Sequence, residues 1–241
     1  MILDLDVGNT RLKWRSVDAQ GKVLARGVQS GSDAMTRLAA QLDKPQRIRV
    51  ACVRDAKFKE QLRERINACW GLEAEFARSA VQAAGVITAY AQPENLGVDR
   101  WLTMLAAKAR GRGACCIIDA GSALTVDLLR GDGQHLGGYI VPGLVMQRAS
   151  LLERTAIRLP ESLAWEGVAP GASTADAIHH GILDMIVTWV QVVSEPVLKS
   201  GGTLYLTGGD AQVFSAQLKA RSVPHELVAD LVLEGLAAAL P

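Results

Sequence analysis

Alternating apolar and polar side chains open the chain and predict strands. Residues 1–7 alternate apolar and acidic side chains, and Leu12 and Trp14 resume the period of two after a Gly-Asn-Thr turn. A period of two is the spacing of a strand with one buried face, so the pattern predicts a hairpin. Residues 21–29 predict a third strand beside it.

After this hairpin, apolar residues recur at spacings of three and four. The pattern predicts helices over residues 33–42 and 56–70, separated by a short apolar strand at residues 47–53. Residues 93–100 then lead into a further helix that ends near Gly111. Three strands followed by alternating helix and strand indicate a mixed sheet.

The opening layout begins again near the middle of the chain. Residues 114–129 read ACCIIDAGSALTVDLL and, like residues 1–14, combine an apolar strand, an Asp-x-Gly turn and a second strand. Two such copies, each opening about half of the chain, predict a duplicated domain. We therefore expect one domain over residues 1–113 and a second over residues 114–241.

Later elements complete the second domain. The pattern predicts a strand at residues 134–141, a long helix at residues 174–193 and a strand at residues 203–207 that runs into Gly208-Gly209-Asp210. The long helix has an apolar stripe, which is more typical of a core or a subunit contact than of a cofactor site.

Composition and charge are those of an ordinary globular protein. Of the 241 residues, 49% are hydrophobic and 21% are charged, and the formal net charge is +1. This balance favours neither a nucleic-acid partner nor an anionic membrane surface. Without a signal-like N-terminus or an apolar run of about 18 residues, we expect a cytoplasmic protein with no membrane association. Four cysteines without Cys-x-x-Cys spacing are expected to be reduced and mostly buried: Cys52, Cys69, Cys115 and Cys116.

Both Asp-x-Gly turns have the chemistry of a phosphate site. Gly8 and Gly121 would let backbone N–H groups approach a phosphate closely, since glycine has no Cβ. Further donors nearby are the side chains of Asn9, Thr10, Lys13 and Ser122. Taken singly, each turn could be a plain hairpin; as a pair facing each other across a cleft, they would clamp a nucleotide.

A carboxylate precedes each turn. Asp6 and Asp119 come at predicted strand ends, where each could hold a hydrated Mg²⁺ or a monovalent cation against the phosphates. Aligning these two aspartates places Thr125 opposite Leu12.

A second constellation lies in the segment LGVDR, residues 96–100. Asp99 and Arg100 come near the N-terminus of a predicted helix, where the local field favours a charged carboxylate. Two interpretations stay open. Asp99 could stabilise its helix next to a solvated arginine, or it could take a proton from an attacking hydroxyl while Arg100 pairs with a substrate carboxylate.

Motifs along most of the chain resemble those of the type III pantothenate kinases, a family whose members include the Bvg accessory factors. The resemblance rests on DVGNTRLK at 6–13, PENLGVDRW at 93–101, DAGSALT at 119–125, GGYIVPG at 137–143 and LTGGDA at 206–211. Five motifs in family order are far more specific than any one of them. A departure is Ser122, where the family usually has threonine; the hydroxyl is retained.

The resemblance implies an α/β protein with the actin-like fold of acetate and sugar kinases, Hsp70 and actin, built from two duplicated domains with mixed sheets. It implies ATP-dependent phosphorylation of pantothenate to 4'-phosphopantothenate, the first step of coenzyme A biosynthesis. The implied cofactors are Mg²⁺ with ATP and a monovalent cation, K⁺ or NH₄⁺. A homodimer with composite active sites is also implied.

The family's residue roles transfer to matching positions of this chain. Asp99 would be the catalytic proton acceptor. ATP would contact Asp6, Val7, Gly8, Asn9, Thr10, Arg11, Leu12, Lys13 and Ser122. Pantothenate would contact Tyr90, Gly97, Val98, Asp99, Arg100 and, from the partner subunit, Thr174. Asp119 would hold the monovalent cation, and Asp6 the Mg²⁺ through water.

Two alternatives to this function stay open. Another actin-like small-molecule kinase, or a phosphatase, would share both phosphate hairpins but need not carry LGVDRW. A catalytically weak or inactive member acting as a transcriptional accessory factor would keep the fold. Against the second alternative, the polar residues that the chemistry requires are all present: Asp6, Lys13, Asp99, Arg100 and Asp119.

Overall fold

Contacts within the chain divide the protein into two compact units. The computed structural model describes residues 1–111, 113–159 and 164–241. The first unit comprises Met1–Arg110 together with Asp230–Pro241, and the second comprises Gly111–Ala229. The division expected from the sequence, at residue 113, assigned the last residues of the chain to the second domain, whereas their contacts lie with the first unit.

The first unit is built on a five-stranded sheet. Its strands are β1 (Ile2–Val7), β2 (Leu12–Val17), β3 (Val23–Gln29), β4 (Arg47–Cys52) and β5 (Ala74–Phe76). They lie in the order β3-β2-β1-β4-β5, with β1 antiparallel to β2 and parallel to β4. The predicted hairpin and the mixed character of the sheet are confirmed.

Two helices, α1 (Ala34–Gln41) and α2 (Ala56–Trp70), follow β3 and β4. α2 begins where the Asp55 carboxylate accepts a hydrogen bond from the Phe58 N–H at 2.8 Å. It ends at Gly71, whose φ of 62° is left-handed and suits glycine. The bounds of α2 that the apolar spacing predicted, residues 56–70, are confirmed.

Alternation along β1 gives the sheet two chemically different faces. Leu3, Leu5 and Val7 join the apolar core that α1 and α2 complete. Asp4 and Asp6 project from the opposite face, since successive side chains of a strand alternate. The apolar and acidic positions seen in the sequence are therefore sorted onto opposite sides of the sheet.

The rest of the first 110 residues leads to a third helix. Two short strands, β6 (Gln82–Ala83) and β7 (Val86–Ile87), form a small hairpin, and a 3₁₀ turn covers Pro93–Asn95. α3 (Val98–Arg110) follows, as predicted, and its residues from Arg100 to Ala107 are buried.

The second unit repeats the sheet of the first. Its strands are β8 (Cys115–Ala120), β9 (Ala123–Leu129), β10 (His135–Pro142), β11 (Thr203–Thr207) and β12 (Glu226–Leu227). They lie in the order β10-β9-β8-β11-β12, with β8 antiparallel to β9 and parallel to β11. The strand order and directions match the first unit, which confirms the duplicated α/β fold.

Among its described residues, the second unit has three helices: α4 (Leu144–Arg154), α5 (Thr174–Lys199) and α6 (Ala211–Ala220). α5 begins where the Ser173 hydroxyl accepts the Asp176 N–H at 3.1 Å, and it runs beyond the predicted end at residue 193, with Pro196 inside it. Among the described helices, α5 is the one whose length and composition would allow it to cross a membrane. Core helices of soluble proteins meet the same criterion, and α5 contributes Ile182, Leu183 and Ile186 to the core.

The cysteines are free thiols, as predicted, and three of the four are buried. Burial raises the pKa of the Cys52 thiol, and it raises the pKa of Cys116 to about 12. Both thiols are therefore protonated at neutral pH, which argues against a nucleophilic role.

The last helix of the chain, α7 (Leu231–Ala239), packs against α3 and the sheet of the first unit. A Cβ on Gly235 would lie 2.1 Å from the carbonyl oxygen of Leu102, so only glycine permits this approach of the two helices. Arg15 donates to the Leu233 carbonyl at 2.8 Å, and Arg49 donates to the Leu240 carbonyl at 3.1 Å. These contacts explain why the end of the chain belongs to the first unit.

Both arginines also pair with one buried carboxylate. Asp4 has no solvent exposure. Its oxygens accept from Arg15 Nε at 2.9 Å and from Arg49 Nε at 2.7 Å. A buried charge is tolerated only when it is paired and hydrogen-bonded, and here three charges on β1, β2 and β4 satisfy one another and the C-terminal carbonyls.

We expect Asp4→Asn to lower the free energy of unfolding by about 3–5 kcal/mol, because it leaves two buried guanidinium groups without their anion. Urea unfolding followed by circular dichroism measures the change. The control is Glu60→Gln, which removes the acid of an exposed pair with Arg63 and should have little effect. Equal stability of the two variants would contradict a stabilising role for the Asp4 network.

Candidate active site

The first Asp-x-Gly turn joins β1 to β2. Cross-strand pairing places Asp6 opposite Lys13, so an acid and a cation lie side by side on one face of the hairpin. The turn closes where the Gly8 N–H donates to the Arg11 carbonyl at 3.1 Å. The exposed residues of its tip are Asn9, Thr10 and Arg11. Val7 and Leu12 flank the turn as a pair and are buried.

Neither packing nor backbone strain requires glycine at the two Asp-x-Gly turns. Gly8 and Gly121 are not among the described glycines with positive φ. A Cβ on Gly8 would meet the Arg11 carbonyl oxygen at 3.5 Å, and one on Gly121 would meet the Ala123 carbonyl oxygen at 3.4 Å. Both distances are ordinary contacts, so the open space that glycine leaves is available for a ligand to approach the backbone.

The second turn, between β8 and β9, is one residue shorter than the first. Asp119 pairs with Thr125, whereas Asp6 pairs with Lys13. The alignment that placed Thr125 opposite Leu12 is therefore wrong, because it assumed turns of equal length. In the second hairpin a hydroxyl occupies the position that a cation holds in the first.

The Pro-Gly turn that ends β10 packs directly on the second hairpin. The Gly143 N–H donates to the Ser122 carbonyl at 3.0 Å, and a Cβ on Gly143 would lie 2.4 Å from the Gly121 carbonyl oxygen. Any side chain here would displace the turn that carries Ser122. Sequence reasoning identified the turn at Gly143 but not this role, since the contact is visible only once β9 and β10 are paired.

The Gly208-Gly209-Asp210 turn reaches the same hairpin from β11. Gly208 has a φ of 103°, and a Cβ there would lie 2.5 Å from Asp119 Oδ1. The Asp210 N–H donates to the Ala120 carbonyl at 2.9 Å. Three of the sequence motifs therefore converge around Asp119 and Ser122 in the second unit.

Asp99 lies in the first turn of α3, with its carboxylate folded back over the preceding residues. Its Oδ1 accepts the Arg100 N–H at 2.8 Å. A Cβ on Gly97 would lie 2.6 Å from the same oxygen, so glycine at position 97 makes room for this carboxylate orientation. Val98 begins the helix, and Asp99 is only partly buried, which leaves the carboxylate accessible to a ligand.

Arg100 is not the solvated arginine of the simpler interpretation. It is 4% exposed, and its Nη1 donates to the Tyr90 hydroxyl at 2.9 Å. Its guanidinium also lies 5.7 Å from the centre of the Tyr90 ring. The structure thus brings together Tyr90, Gly97, Asp99 and Arg100 in the first unit, with a buried cation beside a partly exposed acid.

Thr174 is the remaining predicted residue of the second unit. It is the exposed first residue of α5, next to the Ser173 cap. Within the part of the chain that the structure describes, no three His, Cys, Asp or Glu side chains form a cluster that could hold a metal ion. Asp6 and Asp119 offer single carboxylates, which suits a cation that takes its other ligands from phosphate oxygens and water.

The chain matches proteins of one family over its whole length. A family model described as type III pantothenate kinase matches residues 2–195. A type III pantothenate kinase of Pseudomonas aeruginosa (strain LESB58) is 38% identical, with 100% of this chain and 99% of that protein covered. One from Ectopseudomonas mendocina is 39% identical with the same coverage.

A solved structure supports the fold independently. The crystal structure of a protein assigned to the Baf family of transcriptional activators from Campylobacter jejuni superposes with a TM-score of 0.62 at 21% identity. The match covers 98% of this chain and 95% of that one. The actin-like fold that the sequence motifs implied is confirmed, and the chain belongs to the type III pantothenate kinase family.

Proposed function

We propose that this protein transfers the γ-phosphoryl group of ATP to the terminal hydroxyl of pantothenate, which yields 4'-phosphopantothenate for coenzyme A biosynthesis. The observation that carries the proposal is the pair formed by Asp99 and Arg100 at the start of α3, in a chain of this family. A partly exposed carboxylate next to a buried cation suits a substrate that has both a hydroxyl and a carboxylate. Reduced cysteines agree with a cytoplasmic location.

In this proposal Asp99 accepts the proton of the attacking hydroxyl. Phosphoryl transfer depends mainly on positioning and charge neutralisation. Beyond these, the protein needs to supply only one oriented base. The hydrogen bond from the Arg100 N–H holds Asp99 Oδ1, and Gly97 makes room for the carboxylate in this orientation. Arg100 binds the pantothenate carboxylate, with Tyr90, Gly97 and Val98 around it.

The two hairpins bind the ATP phosphates. In the first, residues 6–13 line the phosphates, the Lys13 ammonium group balances their negative charge, and Asp6 would hold Mg²⁺ through water. Mg²⁺ supplies further charge neutralisation when bound with ATP. In the second, Ser122 contacts ATP, and Asp119 holds a monovalent cation, K⁺ or NH₄⁺, at the position where the hairpin has Thr125 instead of a lysine.

A coupled assay with ATP, Mg²⁺ and pantothenate tests the function. We expect ADP release that requires pantothenate and that increases when sodium is replaced by potassium at equal ionic strength. Absence of ADP release in both salts would count against the kinase. Equal rates in both salts would remove only the cation role of Asp119.

We expect Asp99→Asn to lower turnover by a factor of about a hundred or more, the usual effect of removing a general base. The amide oxygen can still accept the Arg100 N–H, so the unfolding midpoint should change little. Glu94→Gln is the matched control, because Glu94 is an exposed acid of the same motif, in the 3₁₀ turn before α3. If Asp99→Asn is as active as Glu94→Gln, Asp99 is not the base.

We also propose a homodimer formed through the second unit. An open apolar groove of about 660 Å³ runs between α4 and α5, and Leu151 and Met185 line it. Val192, seven residues after Met185, extends the exposed apolar side of α5, and β10 is the edge strand of its sheet. Apolar surface next to a sheet edge favours association. The exposed Thr174 at the start of α5 would then reach pantothenate in the partner's site.

We expect a solution mass twice that of one chain, and Met185→Glu should shift the protein towards monomer by placing a charge in the interface. Light scattering coupled to size exclusion measures the mass. Leu24→Glu is the control, since Leu24 is 54% exposed and Met185 is 55% exposed, but Leu24 lies on β3 of the first unit. A dimer that survives Met185→Glu and dissociates with Leu24→Glu would place the interface elsewhere.

A further inference from the structure

A cavity lies behind the first hairpin. Residues 7–12, which the proposed ATP site also uses, form one wall of it, and its other lining residues have no part in the proposed chemistry. Its volume is about 320 Å³, at the lower end of the range for small-molecule sites. Three segments of the first unit form it: the hairpin over residues 7–12, residues 29–35 between β3 and α1, and residues from Arg54 to Arg65 at and within α2. We name it the rear pocket.

The rear pocket and the proposed ATP side lie on opposite faces of the sheet. Val7 and Leu12 line the pocket and belong to the core that α1 and α2 complete. Asp6 and Lys13, their neighbours along the strands, pair on the other face. A molecule in the rear pocket would therefore contact the back of the turn whose front faces Asp6 and Lys13.

The charged side chains among the described lining residues are all positive. Arg11, Arg54 and Arg65 line the pocket, and no Asp or Glu is among its described lining residues. Arg54 stacks on the Phe58 ring at 4.2 Å, and Arg65 donates to the Ser32 carbonyl at 2.9 Å. The structure gives none of the three a carboxylate partner within the described residues.

The floor of the same pocket is apolar. Met35, Phe58 and Leu62 contribute to it, and Met35 and Leu62 are almost fully buried. A site with an apolar floor, an aromatic ring and guanidinium groups at its rim suits a small molecule with an apolar or aromatic body and a phosphate or carboxylate.

We propose that the rear pocket is a regulatory site for such an organic anion. Arg11 belongs both to the turn and to the pocket lining. An anion bound behind the turn would engage the Arg11 guanidinium and reduce the positive charge that the turn offers to ATP. Occupancy therefore raises the KM for ATP and changes kcat little. This effect on kinetics rests on the proposed kinase function, whereas binding to the pocket does not.

Phenyl phosphate is a suitable probe, because it combines an aromatic ring with one phosphate. Isothermal titration calorimetry on the full chain, with and without a saturating non-hydrolysable ATP analogue, should show that phenyl phosphate binds in both conditions and binds severalfold more weakly with the analogue, since coupling between two sites is reciprocal. Arg54→Gln and Arg65→Gln should each weaken binding about tenfold or more. Arg63→Gln, on the same helix but outside the pocket and paired with Glu60, should leave it within about twofold.

Several results would overturn the site. They are the absence of phenyl phosphate binding at millimolar concentration, complete competition in which no phenyl phosphate binds once the ATP analogue is saturating, and equal weakening by Arg63→Gln and Arg65→Gln. Failure of the ATP analogue to bind would contradict the proposed kinase function. The arginine variants would still test whether phenyl phosphate binds in the rear pocket.

The regulatory role has its own readout. We expect saturating phenyl phosphate to raise the KM for ATP severalfold in the unsubstituted protein and to leave it unchanged in Arg65→Gln. Because the comparison is between KM values at constant kcat, a variant that only damages the fold would not reproduce it. Binding without any change in KM would overturn the regulatory role.

Discussion

The carboxylate of Asp4 has no contact with solvent, and a charge in that position must find its partners within the chain. It finds them in Arg15 and Arg49, which lie on the two strands that flank β1. This triad holds the register of the three strands from one face of the sheet. Because alternate residues of a strand share a face, the pairing that orients Asp4 also orients Asp6, two residues further along. The proposed phosphate site therefore inherits its geometry from a buried ion-pair network.

Local signals in the sequence predicted the elements whose ends are set locally. The apolar spacing of residues 56–70 predicted α2, whose ends the Asp55 cap and the left-handed Gly71 set locally, and the alternation of residues 1–7 predicted β1. Long-range packing decided the rest. α7 has ordinary helical composition, and nothing along the sequence indicates that Gly235 will pack on Leu102. The length of the second turn likewise depends on cross-strand register, which is not visible in a sequence alignment of the two copies.

The candidate site divides in the same way. The contact between Gly97 and the Asp99 carboxylate is local, and a glycine just before a helix makes such a contact predictable from the sequence. The burial of Arg100 against Tyr90 is not local, because it depends on a loop ten residues earlier. The convergence of Gly143 and Gly208 on the second hairpin requires the assembled sheet. The sequence motifs predicted that these residues belong to the site, and the fold shows the contacts that position them.

The return of the last helix to the first unit has a consequence for synthesis. A ribosome releases residues in order, so roughly 130 further residues must be synthesised after α3 before its partner α7 is complete. At about 5–20 residues per second, this gap lasts between about 6 and 26 s. During that interval the surface of α3 around Leu102, which α7 will cover, is open to water, and Arg15 and Arg49 lack two of their acceptors. The second unit can complete its chain and fold before the first one does, so the order of folding in the cell is expected to reverse the order of the sequence.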